Sequence, residues 1–239
     1  MDSLLEFAIE GHGGLEKWNK FNNVSAHINV EGMTWERKQQ SGILKDINVR
    51  AEIKRQHVSF VSLEGEKETV FEPQHMVTKT INGEITEELS NPRQSFEKHT
   101  RDTPWTRLQA FYFAGYAMWI YFNAPFCFVD PDYQVSEIDP WEENGEVFRR
   151  LQVIFPDHIA THSRIQIFYI DKTGLIRRHD YNVEISGNAA GAHYLYDYID
   201  VEGIKFPTKR RVFIRQEDNT PLQPEPLLVS INFNEIHLV

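Results

Sequence analysis

Near the middle of the chain, three side chains able to move a proton or hold a charge recur at every second position: Arg177, His179 and Tyr181. In an extended strand alternate residues share a face, so this row is expected on the same side as Leu175 and Val183. Polar groups on an apolar face need partners, because burying them unpaired is costly. An imidazole exchanges protons near neutral pH. A guanidinium holds a carboxylate or a developing oxyanion, and a phenol donates a hydrogen bond. Together they suit acid–base work on a small anionic or carbonyl substrate, with His179 as general acid/base, Tyr181 as donor and Arg177 as clamp. His193 opens the next strand, and antiparallel pairing could set it beside His179. The competing reading is a packed polar network that fixes strand register. Arg178 and Asp180 fall on the opposite face, where a surface ion pair is expected.

Other residues could contribute. Trp105, Tyr112, Tyr116, Trp119 and Tyr121 are expected on the central helix and, with Phe168, could wall a substrate site for a planar ligand. Tyr194, Tyr196 and Tyr198 are expected on one strand face, with His193, Leu195 and Asp197 on the other. His158 and His162 have HxxxH spacing, but the segment reads as a turn entering a strand and no Glu follows the first His, so no metal site is expected. His12, between glycines, reads as part of a helix-connecting turn. There is no nucleophile elbow, P-loop or dinucleotide fingerprint, and no cofactor is expected.

These groups must be positioned by sheet. Val24, Ala26, Ile28 and Val30 alternate with polar residues, as do Ile47, Val49, Ala51 and Ile53, the pattern of antiparallel strands with one wet face. Shorter strands are expected at His57–Leu63, Glu68–Glu72, His75–Ile81 and Ile85–Leu89, with a type I′ turn at Asn82-Gly83. After Tyr133, strands resume around hairpins at Asn144-Gly145, Asp171–Gly174 and Glu202-Gly203, and Pro221–Pro226 reads as a loop before the last strand. Helices are expected within residues 1–21, where Leu4, Leu5, Ala8 and Ile9 form a stripe. A second helical stretch should cover 104–123, with Thr103 as N-cap and Pro104 at N1. The expected fold is one α+β domain spanning 1–239: a strongly curved antiparallel sheet of about eleven strands, an incomplete barrel with helices plugging its concave side.

Composition narrows the function. With 239 residues, 41% of them hydrophobic, the chain can build one large core. Its net charge of −10 disfavours nucleic acid, and Lys209-Arg210-Arg211 reads as part of an exposed strand. The longest apolar run, Ala110–Phe122, is too short for a membrane span, which takes roughly 20 residues. The single cysteine, Cys127, reads as a buried thiol. No secretory leader is visible, so a cytoplasmic location is expected. The expected partner is a small hydrophobic or aromatic ligand, and a second copy could form a homodimer.

Two motifs carry a resemblance. Gly13-Gly14-Leu15-Glu16-Lys17-Trp18 runs from a helix toward a strand, and Asp171-Lys172-Thr173-Gly174-Leu175 joins two strands. Both resemble the LolA/LolB lipoprotein-carrier superfamily, curved antiparallel sheets plugged by helices around a hydrophobic pocket. The strings TPW, FAGYAMW, PDHIATHSR, LIRRHDYNV and AHYLYDY are similar to those of an uncharacterised bacterial family of this fold. The resemblance implies a carrier for a lipid or other hydrophobic ligand. The carriers are exported, however, and a cytosolic protein of the same architecture, VioE, acts in the violacein pathway without a cofactor. The leading expectation is therefore a cofactor-independent enzyme acting on a small hydrophobic or aromatic substrate by cyclisation, isomerisation or elimination. The alternatives are a non-catalytic carrier and a partner-binding module with a filled interior.

Overall fold

The computed structural model describes residues 2–62 and 65–239. Met1 and Leu63, the latter the expected end of a strand, lie outside them. The first six strands are β1 (Asn23–Glu31), β2 (Ile47–Glu52), β3 (Val58–Ser62), β4 (Lys67–Glu72), β5 (His75–Thr80) and β6 (Ile85–Ser90). The remaining seven are β7 (Gln134–Glu143), β8 (Glu146–Ile154), β9 (Ile165–Ile170), β10 (Ile176–Val183), β11 (Ala189–Val201), β12 (Ile204–Arg215) and β13 (Pro221–Leu238). They form one sheet of 13 strands, in the order β6-β5-β4-β3-β2-β1-β13-β12-β11-β10-β9-β8-β7. Two meanders therefore meet where the first and last strands pair, with Ile28 opposite Phe233. The sheet does not close: β6 and β7 are its edges.

Alternation sets the faces as expected. In β1, Val24, Ala26, Ile28 and Val30 are buried and their neighbours are not. The turn at Asn144-Gly145 has both residues at positive φ, as a type I′ hairpin requires. At Asn82-Gly83 only Gly83 does, so the type I′ expectation fails there. The Pro221–Pro226 stretch is not a loop. It opens β13, and pairing jumps from Phe213↔Leu227 to Ile214↔Leu222. Pro224 and Pro226 thus fall in an irregularity where no ladder N–H is required of them.

Helix α1 (Ser3–Gly11) is capped by Asp2, whose carboxylate accepts from Leu4 N at 2.8 Å. It buries the expected stripe of Leu4, Leu5, Ala8 and Ile9. A Cβ on Gly11 would meet Gly174 backbone at 2.7 Å. Glycine therefore lets the helix end sit directly on the β9–β10 turn. Helix α2 (Leu15–Trp18) is short, and α3 (Met33–Arg37), which the sequence reading missed, follows β1.

Helix α4 (Arg107–Asn123) begins three residues later than expected. Thr106, not Thr103, is its N-cap, in a reciprocal capping box with Gln109. All of its residues except Arg107 are buried. A helix apolar on every side must be covered, and both halves of the sheet cover this one. Tyr112 packs on Phe71 of β4, while Phe122 meets Phe233 of β13 and Tyr121 meets His193 of β11. Among the described residues no helix is long and apolar enough to cross a membrane.

Candidate functional site

The expected row on β10 is broken at its first member. Ile176 pairs with Ile170 and Arg178 with Tyr169, so β10 bulges at Arg177. Ile176, rather than Leu175, then faces the interior with His179 and Tyr181. Arg177 turns to the β9–β10 loop, where its Nε donates to Asp171 at 2.6 Å and its guanidinium lies 5.1 Å from the Tyr198 ring centre. The guanidinium, imidazole and phenol are therefore not side by side.

His179 and Tyr181 sit instead in a cluster assembled from five elements. His193 is directly opposite His179 across the β10–β11 ladder, with ring centres 5.8 Å apart. Phe168 of β9 stacks on His179 at 4.1 Å, and His162 stacks on Tyr181 at 3.9 Å. From α4, the Tyr121 hydroxyl lies 3.0 Å from His162 Nε2 and 3.2 Å from the Tyr181 hydroxyl. His179 Nε2 donates to Gln166 Oε1 at 2.6 Å, and Gln166 Nε2 in turn donates to the Ser163 carbonyl. Both ring nitrogens of His193 are buried without a hydrogen-bond partner among the described residues.

Arg210, which its sequence neighbours do not single out, stands at the floor of this cluster. It was expected in an exposed basic run, but it shares its strand face with Val212 and is buried. Its Nη2 donates to the Tyr121 carbonyl at 2.7 Å. That carbonyl belongs to the last turn of α4, where main-chain acceptors lack helical partners and a cation is favoured. Burial lowers the Arg210 pKa to about 10, so it remains charged at neutral pH. Desolvation holds His162, His179 and His193 well below the ordinary imidazole range, and Arg210 adds to this at His179 and His193. His12, also buried, is lowered to about 4 by desolvation. The rings are neutral at pH 7. The open space beside His179 is a hollow of about 20 Å³ that also touches Arg210 and Tyr198, room for about one water.

Several further expectations are corrected. Arg178 and Asp180 do pair, at 2.7 Å, but in a buried network, each only 2% exposed. Glu143, Tyr194 and Asn219 also bond Arg178, and Tyr169 donates to Asp180. Asp197 has positive φ and breaks the alternation of β11. Tyr198 thereby faces inward against His12, away from Tyr194 and the exposed Tyr196. His158 is exposed and His162 buried, so the HxxxH pair does not share a site. Cys127 is half-buried, its thiol pushed up by desolvation.

The aromatic residues expected to wall one site are dispersed. Tyr112, Tyr116 and Phe168 are core. Trp119 donates to the Glu52 carbonyl and borders an open groove of about 830 Å³ at the C-terminal end of α4. Trp105 alone of the five lines a different cavity, of about 270 Å³, between α3, α4 and strands β10–β13. Tyr181 forms part of its wall, so the histidine cluster lies directly behind that wall. Phe113, Val212, Leu228 and Val229 supply apolar surface, and the small run Ala189-Ala190-Gly191 leaves the space open. That run, inside a strand otherwise rich in large side chains, is the one sequence signal that could have located it.

No protein-family model matches the sequence, and no curated protein matches it. Solved structures do. A DUF1329 family protein from Desulfovibrio piger superposes with a TM-score of 0.55 at 11% identity, over 99% of this chain and 92% of its own. A LolA superfamily protein from Nitrosomonas europaea gives 0.50 at 9% identity, over 94% and 91%. A domain described for outer membrane lipoprotein sorting, from Vibrio parahaemolyticus, gives 0.50 at 8% identity, over 95% and 93%. At these identities the likeness is one of fold, and the chain has a LolA-like fold: a single open antiparallel sheet around a plug helix.

Proposed function

We propose that this chain binds a hydrophobic ligand in the 270 Å³ cavity and shields it from water, as a carrier does. The observation that carries this reading is the cavity itself, a largely apolar hollow between sheet and helices, just below the usual size of small-molecule sites. Its neighbours in fold include a domain named for lipoprotein sorting and a LolA superfamily protein. By contrast, the hollow at His179 has room for about one water. Each buried methylene contributes about 0.8 kcal/mol, so a single chain of modest length gives useful affinity after association costs.

A blocking variant tests the reading. Ala189 lines the cavity and is half-buried. Ala189→Phe is expected to weaken binding of a neutral ten-carbon alcohol at least tenfold, with circular dichroism and the urea midpoint confirming a folded variant. Unchanged binding in a folded variant would contradict it.

A second reading draws on one observation. Tyr181 both lines the cavity and adjoins Tyr121, which adjoins His162. A substrate bound there would meet a hydrogen-bonded chain from Tyr181 through Tyr121 to His162 able to pass a proton, in line with an acid–base role for Tyr181, whereas His179 bonds Gln166 instead and His193 lies outside the chain. Arg177 has no part in that chain.

A further inference from the structure

The charge around this cavity is opposite in sign to that of the molecule. The chain carries −10 overall, yet among the described residues the lining includes Arg37, Lys38, Arg101 and Arg215 and no carboxylate. Arg37 is matched by Asp102 at 3.4 Å, and Arg215 Nε lies 3.8 Å from Asp180. Lys38 is different. It is only 1% exposed, and among the described residues no carboxylate lies within 4.0 Å of its ammonium. Its Nζ donates to the carbonyls of Thr100 at 3.1 Å and Thr103 at 3.2 Å, beside the Trp105 ring at 4.7 Å. An ammonium has three N–H donors, so one is left after the two carbonyls, and Lys38 lines the cavity. Asp102 acts on Lys38 at longer range but is paired with Arg37, whose own charge opposes it; a buried cation with no carboxylate in contact is costly unless something supplies one.

We infer that the occupant of this cavity is a single-chain amphiphile whose anionic head is held by Lys38 while its apolar chain lies against Phe113, Val212 and Val229. This rests on the reading of the cavity as a ligand site. The volume suits one short chain: at 270 Å³ the cavity lies just below the range of small-molecule sites, room for a chain of about ten carbons rather than a two-tailed lipid. Carboxylate and phosphate heads share the required chemistry.

Burial lowers the Lys38 pKa to about 8, which supplies a test needing no substitution. Decanoate, decyl phosphate and decanol are titrated into the full chain, followed by fluorescence of Trp105 and the other tryptophans. At pH 7 at least one anion is expected to bind tenfold or more tighter than the alcohol, and the tighter of the two identifies the head. That advantage is expected to decline above about pH 8, as the free ammonium loses its proton, and to vanish in Lys38→Met. Equal binding of the alcohol and both anions, with no pH dependence between 7 and 10, would overturn the anionic head and leave the apolar site standing. Absence of binding by all three would overturn both.

Discussion

At the scale of single residues, the interior of the half-barrel holds an unusual proportion of polarity for so little space. Three imidazoles, two phenols, an amide and a guanidinium are packed with about one water's volume beside them. The consequence is a pH dependence with a definite sign. His162, His179 and His193 have folded-state pKa values well below 6.5, as does His12 at about 4. Below pH 6.5 the unfolded chain therefore binds protons that the folded chain does not. The stability these residues permit is complete above 6.5 and is lost as pH falls, by about 1.4 kcal/mol per unit for each histidine until its folded pKa is reached. Urea midpoints measured from pH 7.5 to 5 are expected to be level above 6.5 and to drop steeply beneath it. A level profile across that range would mean the rings already titrate in the fold. Much of this cluster was legible in the sequence. The row on β10 pointed to a polar interior, and His193 did fall opposite His179. Arg210 was hidden by its charged neighbours, although alternation with Val212 already placed it on the inner face. Lys38 left no trace, because its burial depends on a loop more than sixty residues away.

At the scale of elements, α4 organises the site from the concave side. Its composition foretold its burial, because no face of it is polar enough to meet water. Its start was misplaced because two threonines precede it and only Thr106 has Gln109 three residues on to close the capping box. The helix reaches the sheet through Gly115, where a Cβ would come within 2.3 Å of the Phe71 ring. Gly115→Ala raises helix propensity by up to about 1 kcal/mol, yet overpacking a well-filled core typically costs about 1–3 kcal/mol. A net loss of stability is therefore expected in denaturant titrations, and a gain would show that α4 can slide away from β4. The bulge in β10 was not legible. Leu175 and Ile176 are both apolar, so the pattern cannot tell which faces in, and Arg177 follows whichever register the ladder adopts. The prolines of β13 misled for the complementary reason: they bar regular pairing, and the strand accommodates them by a shift in register instead of ending.

At the scale of the whole molecule, an open 13-stranded sheet wraps on one helix, with its residual space gathered in places that include a 270 Å³ cavity. The edges that an open sheet exposes carry charge: Glu87 and Glu88 on β6, and Glu137, Asp139, Glu142 and Glu143 on β7. Such edges resist pairing with another chain. The sequence conveyed the architecture because alternation and helix composition are local signals. It did not convey where the hollow lies, because a cavity is what distant side chains fail to fill. That this hollow admits an apolar chain is tested most directly by a length series of straight-chain alcohols from six to sixteen carbons. Affinity is expected to rise about fourfold per added methylene, about 0.8 kcal/mol each, and to level off near ten carbons. Affinities that do not change with chain length would contradict it.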